Sequence, residues 1–466
     1  MKSRLQSIGR INLSLTAAAI AITWTGFAFA QAPGETAPAA LAGSYEPATP
    51  PATATAPAPT VATPAPEMAA PVVAATPAPT AAERKEEKQL VGYDKGFFLT
   101  DPKGLFKLVI GARVQGRFTF ENIESHKTNE EGADTAATEK EKAYQFSVPQ
   151  ARLKLSGHVF SERVAYQMQA DFGNKGNPAL IAAYGDFGLV SDVLYLRVGQ
   201  WERPFSRQQI TSSGSFHLVD RAITDKAFGA GRDLGVAFHN NYEKSPKLEW
   251  ALGLFNGTGD KPWFEGGFEG TGETDADGNI TVEGEVSSKA KPTNVPDKLR
   301  PAVVARIGFN TGKIKGYSEA DLEGGPFRFG MAASVQADFD ASDEGKAATR
   351  ADLDFIMKVE GFSLDGAIYL ASVQDGSGFA DQKYGAWGLH AQAGYVIAGR
   401  VEPVVRYALV DLDGDDNNTQ EFLGGLAIYV FKHNLKWQTE AGSVLRQDPA
   451  GTLDDVVVRT QLGLAF

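Results

Sequence analysis

Apolar and polar residues alternate along much of this chain, and the alternation is clearest between residues 105 and 120. One set of alternate positions is apolar and consists of Phe106, Leu108, Ile110, Ala112, Val114, Phe118 and Phe120. The polar residues between them are Lys107, Arg113, Gln115, Arg117 and Thr119. A period of two predicts a β-strand with one apolar face and one polar face.

The same pattern recurs to the C terminus in short segments that clusters of Gly, Asp, Asn and Pro separate. It predicts sixteen strands, near residues 105–120, 145–159, 163–172, 179–187, 193–201, 232–239, 247–256, 299–309, 327–339, 349–360, 362–372, 384–397, 401–410, 420–431, 434–443 and 455–466. Some connections are short, at 160–162, 188–192 and 431–433, and others are long, at 121–144, 202–231, 258–298, 340–348 and 373–383. Short turns, long loops and an even number of strands are typical of bacterial outer-membrane barrels.

Bulky Phe, Leu, Val and Trp fill the apolar face, whereas the other face carries charged residues, Gln and Gly. Beyond the first thirty residues the sequence contains no apolar run of about 18 to 20 residues, the length of a transmembrane helix. A closed barrel is the other structure that satisfies every backbone hydrogen bond in lipid. A soluble β-sandwich also alternates, but its outer faces are charged and it seldom has so many strands. We therefore predict an all-β protein, a 16-stranded antiparallel transmembrane β-barrel over residues 93–466.

The N-terminal part of the chain has a different composition. Residues 1–30 carry positive charges, then an apolar run, and end in Ala28-Phe29-Ala30, which together predict a signal peptide. Residues 31–82 are almost wholly Ala, Pro and Thr, and we predict that 31–92 is a disordered periplasmic segment. About fifty residues in an extended polyproline conformation reach on the order of 150 Å. That length allows either a contact with the cell wall through 31–82 or an inert spacer.

Composition excludes several functional classes. The chain has no Cys, which removes disulfides, thiolate metal sites and cysteine nucleophiles. It has no nucleophile-elbow, zinc-protease or phosphate-loop motif, so we expect no enzyme, no cofactor and no metal site. Residues 411–416 resemble the start of a calcium loop but lack the distant Glu that such a loop needs. The formal net charge of −12 becomes −15 without the three positive charges of the signal peptide, which argues against a nucleic-acid partner.

Three blocks of sequence resemble the phosphate-selective porin O and P family. They are YDKGFFLTDPKGLFKLVIGARVQGRFTF at 93–120, VPQARLKLSG at 148–157 and LRVGQWERPFSRQQITSSGSFHLVDRAITDKAFGAGRDLGV at 196–236. The resemblance extends over residues 93–466. It implies a sixteen-stranded trimeric barrel in the outer membrane, with a third external loop that folds inward and with Arg and Lys along the wall that guide anions. The matching loop is 202–231, with Arg203, Pro204 and Phe205 at its entry turn.

Alternate positions of a strand share one face, and only the polar face of a barrel contacts the solute. The parity of a residue, meaning which of the two faces its position belongs to, therefore identifies candidate pore-lining residues. The candidates for anion binding are Lys107, Arg113, Arg117, Arg152, Lys154, Arg197, Arg203, Arg207, Arg221, Lys226, Arg232, Arg300 and Arg306. Later strands place acids on the same face, namely Asp338, Asp352, Asp354, Glu360, Asp365, Glu402, Glu421 and Glu440. The two signs of charge are thus predicted to occupy different parts of the circumference, although any one Arg is as well explained by a structural ion pair.

These observations predict an outer-membrane porin of a Gram-negative bacterium that lets small anions, phosphate or other oxyanions among them, diffuse passively. Its expected partners are membrane lipid, lipopolysaccharide, small anionic solutes and two further copies of the chain in a homotrimer. Two alternatives stay open, a general diffusion porin without selectivity and a structural tether of the envelope through the Ala/Pro-rich segment.

Overall fold

A computed structural model describes residues 90–94, 96–128, 134–173, 178–190, 193–257, 299–339, 347–374, 383–412 and 418–466. Sixteen long strands in it form one closed antiparallel β-barrel, which confirms the predicted fold class. The predictions for the signal peptide, for residues 31–89 of the segment expected to be disordered and for the long connection at 258–298 concern residues outside these ranges. Residues 91 and 92, the last of that segment, instead belong to a strand. Within the ranges, no helix has the length and apolar character needed to cross a membrane.

The strands run in chain order around the barrel. Two short strands come first, β1 (Val91–Tyr93) and β2 (Phe97–Thr100). The barrel strands are β3 (Lys107–Thr128), β4 (Asp134–Val159), β5 (Ser161–Asp171), β6 (Ala179–Val190), β7 (Leu194–Glu202), β8 (Arg232–His239), β9 (Leu248–Phe255), β10 (Ala302–Asn310), β11 (Arg328–Asp338), β12 (Ala347–Val359), β13 (Phe362–Gln374), β14 (Lys383–Tyr395), β15 (Val401–Asp411), β16 (Asn418–Phe431), β17 (Leu435–Asp448) and β18 (Gly451–Ala465). Helices α1 (Arg207–Ile210) and α2 (Ile223–Phe228) lie between β7 and β8.

The barrel closes where β18 pairs with β3, from Val456 opposite Asn122 to Ala465 opposite Arg113. Beyond that point β2 takes the place of β18 and pairs with residues 107–110 of β3. The short hairpin of β1 and β2, which the sequence did not predict, therefore extends the wall at the end of the barrel where β18 finishes. We call this the turn end of the molecule and the opposite end, which carries the β3–β4 and β7–β8 connections, the loop end.

Burial follows the predicted alternation, with apolar side chains on the outside. In β10, Ile307 and Phe309 are 60% and 45% exposed, whereas Arg306, on the inner face of the same strand, is 2% exposed. In β13, Leu370 is 59% exposed while Asp365 is buried. This arrangement is the reverse of a soluble protein and fits an outer surface in contact with hydrocarbon.

Aromatic pairs mark both ends of the apolar outer surface. At the turn end, Phe106 lies 5.5 Å from Phe160 between ring centroids. Towards the loop end, Phe118 and Phe146 are 5.0 Å apart, and Phe120 and Tyr144 make a second pair at 5.0 Å. Two belts of aromatic residues at the levels of the two membrane interfaces are a regular feature of outer-membrane barrels.

The prediction of a loop over residues 121–144 was wrong for most of that range. Strand β3 continues to Thr128 and β4 begins at Asp134, and the two pair as a hairpin that extends beyond the last β3–β18 pair. Polar residues occupy both sides of this extension, such as Glu124, Lys140 and Lys142. Because it has no apolar face, it lacks the alternation by which the other strands were recognised.

Candidate pore and its basic wall

Residues 203–231, the connection between β7 and β8, lie inside the barrel, as predicted for the third external loop. We call this segment the inward loop. Phe205, Ala222 and Phe228 within it have no exposed surface, and its contacts reach strands on the far side of the wall. The ring of Phe228 stacks on Tyr369 of β13, with centroids 5.4 Å apart.

The amide groups of the inward loop donate hydrogen bonds to carboxylates of the wall. The amide of Arg207 is 2.9 Å from Asp354, and the amide of Val219 is 2.8 Å from Glu440. The amide of Ser206 donates to Asp352 over 3.3 Å. Irregular backbone buried inside a barrel needs such partners, since an unpaired buried amide is costly.

The carbonyl groups of the same loop accept hydrogen bonds from cationic and amide side chains of the wall. Arg350 donates to the carbonyls of residues 228 and 229, Lys436 to that of residue 216 and Arg406 to that of residue 220. Gln438 donates to three successive carbonyls, those of residues 216–218. Strands β11 to β17 thus hold the loop with both signs of charge.

A second segment enters the barrel from the turn end. It comprises residues 311–327 between β10 and β11, and we call it the inward turn. Lys358 of β12 donates to three of its carbonyls, those of residues 315, 318 and 320, over 3.1, 2.5 and 3.0 Å. The sequence did not predict that this segment lies inside the barrel. Lys358 does occupy the same alternate positions of β12 as Asp352 and Asp354, so its side chain was expected to point inward.

The inward loop and the inward turn meet at His217 and Glu319. The backbone amide of His217 donates to Glu319 over 2.7 Å, and that of Glu319 donates to the carbonyl of Ser215 over 3.1 Å. The imidazole of His217 also lies 2.9 Å from Glu402 and 3.4 Å from Asp365. Burial by itself opposes a charged His217, but these carboxylates outweigh it and raise the pKa of His217 to about 10.

The predicted acids of the later strands lie on the inner face, with one exception. Asp338, Asp352, Asp354, Asp365, Glu402, Glu421 and Glu440 are buried inside the barrel. Glu360 is the exception, because it is exposed in the turn between β12 and β13. Most of these carboxylates contact the inward loop, the inward turn or a cation of the wall, so they are shielded from the interior solvent.

A cavity of about 240 Å³ lies on the opposite side of the barrel, between β4–β7 and the inward loop. A single water needs only about 10–15 Å³ on a comparable measure, so the cavity admits a small solute. Its polar lining includes Arg152, Lys154, Gln167, Gln169, Ser212 and Ser213. Arg197, Arg232, Tyr184 and Tyr317 also line it, together with two carboxylates, Glu202 and Glu243.

Four of the candidate anion-binding residues therefore line the cavity, namely Arg152, Lys154, Arg197 and Arg232. Arg197 is paired with Asp186 at 2.8 Å and with Glu243 at 2.7 Å, and Arg152 with Asp171 at 2.8 Å. Lys154 is exposed, and across the described ranges no carboxylate lies within ion-pair distance of it. Arg113 lies beside the cavity, where its Nη1 donates to Ser212 at 3.1 Å and to Ser213 at 3.2 Å.

Other candidates lie in structural ion pairs. Arg203 is fully buried and pairs with Asp233, and Arg117 pairs with Asp220 at 2.9 Å. Arg207 and Arg306 both bind Asp354, at 2.8 and 2.7 Å. These four guanidinium groups fix the inward loop or its wall.

The remaining candidates have separate positions. Arg221 donates to the carbonyls of residues 208 and 209, and Lys226 is exposed on α2. Lys107 lies at the turn end, 5.2 Å from the ring centre of Phe98, and Arg300 precedes β10. Whether any of the thirteen residues guides anions stays a prediction. Parity would also have identified Arg350, Lys358, Arg406 and Lys436, which the sequence analysis left out.

A closed barrel with an apolar outer surface, an inward loop and a polar interior defines the class of protein, an outer-membrane porin. The family model of phosphate-selective porin O and P matches residues 129–466. The chain belongs to that family, and two of the three sequence blocks that resemble it, at 148–157 and 196–236, lie within the matched residues. It is a channel-forming protein of the Gram-negative outer membrane.

Solved structures share the fold at low sequence identity. The chain is similar to the outer membrane channel DcaP of Acinetobacter baumannii, with 13% identity and a TM-score of 0.51 over 79% of this chain and 99% of that one. An anion-selective porin from Comamonas acidovorans gives 11% identity and a TM-score of 0.48, over 77% of this chain and 99% of that one. No curated protein matches the sequence. At these identities the likeness concerns the fold alone.

Proposed function

We propose that this porin is a passive channel that favours small anions, phosphate or other oxyanions, and that they pass along the β4–β7 side of the interior. One observation carries the proposal. The acids of β11 to β17 are covered by the inward loop and the inward turn, whereas Arg152 and Lys154 face the cavity, whose two carboxylates are paired with Arg232 and Arg197. Charges at the narrow part of a pore set its selectivity, because low-dielectric walls concentrate the field there.

Lys154 makes the proposal testable, since its charge has no ion-pair partner among the described residues. In planar bilayers with a gradient of potassium chloride, we expect a reversal potential of the sign for anion preference. Lys154→Glu should move that potential towards zero or beyond. The matched control is Lys103→Glu, which makes the same change in the exposed turn between β2 and β3 and should leave the potential unaltered. Cation preference of the unaltered protein would overturn the proposal.

We also propose that the protein is a homotrimer in contact with lipid and lipopolysaccharide, with its loop end outside the cell and its N-terminal segment in the periplasm. The apolar outer surface and the aromatic pairs near both ends support the membrane contacts. The position of Leu90, which precedes the hairpin at the turn end, supports the periplasmic placement. Crosslinking of the detergent-purified protein should give trimers, and a protease added to intact cells should leave residues 31–82 uncut.

A further inference from the structure

The cavity beside the inward loop carries uncharged hydrogen-bonding groups on β5 and β6. Gln167 and Gln169 lie two positions apart on the inner face of β5, and Tyr184 of β6 is the direct cross-strand neighbour of Gln167. All three side chains line the cavity, and we call them the neutral wall. Within the described parts of the chain, no hydrogen-bond partner reaches either side-chain amide or the Tyr184 hydroxyl. Amides and phenols both donate and accept hydrogen bonds, so the neutral wall is available to a solute that does the same.

The aromatic member of the neutral wall is held in place by its neighbours. The guanidinium carbon of Arg197 lies 4.3 Å from the ring centre of Tyr184. Arg197 is itself fixed by Asp186 and Glu243, and the ring of Trp201 contacts Tyr184 edge-on with centroids 6.3 Å apart. A hydroxyl held in this way binds a solute without the entropy loss of first ordering a side chain.

The cavity is larger than an inorganic oxyanion needs. An apolar protein cavity of about 150 Å³ is filled by one benzene molecule. The volume here is about 240 Å³, so it admits an organic molecule somewhat larger than benzene. Inorganic phosphate, which is smaller than benzene, would leave most of the neutral wall without a partner.

A positive charge without an ion-pair partner lies at one end of the neutral wall. Lys154 of β4 is the direct cross-strand neighbour of Gln169, and such neighbours have Cβ atoms about 4.5–5.5 Å apart. No carboxylate among the described residues lies within ion-pair distance of Lys154. A solute whose anionic group lies at Lys154 therefore has its remaining atoms beside the amides and the phenol.

We propose that this cavity takes an organic anion with several hydroxyl groups, of the chemical class of the sugar acids. The carboxylate lies at Lys154, and the hydroxyl groups bind Gln167, Gln169 and Tyr184. The inference rests on the proposed anion channel and names the substrate class of its cavity. A site built to bind hydroxyl groups rejects an analogue without them, because the polar groups of the site would then be desolvated and unpaired. Each of these uncharged hydrogen bonds is weak, so the solute can also leave, as conduction requires.

The test compares gluconate with hexanoate as blockers of the single-channel chloride current of the full-length protein in bilayers. Both are monocarboxylates with the same number of carbon atoms, but only gluconate carries hydroxyl groups. We expect gluconate to reach half-block at a concentration at least about tenfold lower than hexanoate, since several hydrogen bonds add to the binding of the charge. Glucitol, which has the hydroxyl groups without the charge, should block much less than gluconate.

Two variants weaken the neutral wall and leave Lys154 in place. Tyr184→Phe removes only the hydroxyl and keeps the ring on Arg197, and Gln167→Leu removes one amide. Each should raise the half-blocking concentration of gluconate by about two- to tenfold and leave that of hexanoate equal or lower. Gln145→Leu, in the exposed extension of β4, is the matched control and should leave both concentrations unaltered. Folding of each variant is checked by its heat-dependent shift on a gel, and Tyr184→Phe alone decides if Gln167→Leu does not fold.

An anion-selective channel that gluconate blocks no better than hexanoate, or that neither blocks, would overturn the inference and leave the proposed function standing. The same holds if glucitol blocks as well as gluconate, or if the two variants leave the block by gluconate unchanged. A cation-selective channel would overturn both the inference and the proposed function.

Discussion

The two halves of the barrel wall have the same sequence pattern and opposite roles. Strands β11 to β17 carry alternating charged residues on their inner face, and so do β3 to β7. On the first wall those charges bind the backbone of the inward loop and the inward turn, as with Asp354 and Lys358. On the second wall, Lys154 and Arg152 face the cavity. The difference shows that parity places a charge inside a barrel, whereas the segments folded into the barrel decide whether that charge meets solute.

The comparison also explains how an acidic protein can have a basic passage. The carboxylates of β12 and β17 that hold the inward loop, such as Asp352 and Glu440, are hydrogen-bonded to its backbone. The two carboxylates that line the cavity, Glu202 and Glu243, are paired with Arg232 and Arg197. The formal charge of the chain, −12, therefore says little about the field along the pore. Selectivity depends on the charges within about one Debye length of the passage, roughly 8 to 10 Å.

The largest effect is expected from Asp354→Asn on the loop-holding wall. Arg207 and Arg306 both bind Asp354, and the side chains of all three are at most 5% exposed. Removing one partner of a buried ion pair costs about 3–5 kcal/mol, because the other charge stays buried. We expect a loss of that order in the free energy of unfolding, measured by denaturant titration in detergent.

Glu360→Gln is the control for this prediction, because Glu360 is exposed in a turn and its change should leave the unfolding midpoint in place. Equal stability of Asp354→Asn and the unaltered protein would mean that the wall does not hold the loop through this cluster. The contrast between the two walls would then lose its main support.

A smaller and more local effect is expected from Lys358→Met. The ammonium group of Lys358 binds three carbonyls of the inward turn, and methionine has a similar length without any donor. The inward turn should loosen while the barrel stays folded. Trypsin should then cut at Lys313 or Lys315, which are both exposed in that segment, several times faster than in the unaltered protein.

Lys432→Met, at an exposed turn, controls for the loss of a lysine. Faster cleavage accompanied by a higher single-channel conductance would show that the inward turn narrows the passage. Unchanged cleavage would contradict the role of Lys358.

The sequence was sufficient to locate the sixteen barrel strands within the membrane, because a wall between lipid and water requires apolar and polar residues to alternate. Strand β12 was expected at 349–360 and lies at Ala347–Val359, and β8 was expected at 232–239 and has those bounds. The extension of β3 beyond residue 120 was missed, since outside the membrane neither face needs to be apolar. Local sequence specifies a strand only where its two faces have different surroundings.

The site was predictable in part. Parity placed Arg152, Lys154 and Arg197 inside the barrel, and they line the cavity. It did not separate them from Arg306, which also points inward but is paired with Asp354. That distinction depends on the inward loop and the inward turn, whose positions are set by contacts between residues far apart in the chain. The hydrogen bond from the Arg207 amide to Asp354, for example, spans 147 positions.

The smallest effect is expected at alkaline pH, where the two inward segments meet. His217 lies between Glu402 and Asp365 and beside Glu319, and the pKa of its imidazole is raised to about 10. A pKa raised by folding contributes stability that is complete below the unfolded value, near 6.5, and that is lost as the pH rises through about 10. Above that pH, the inward loop should fluctuate more, visible as added noise in the open-channel current. The His217→Gln variant should show this current noise already at pH 7, and the noise should change little up to pH 10.5. A variant without added current noise at pH 7 would show that the charge of His217 does not hold the loop.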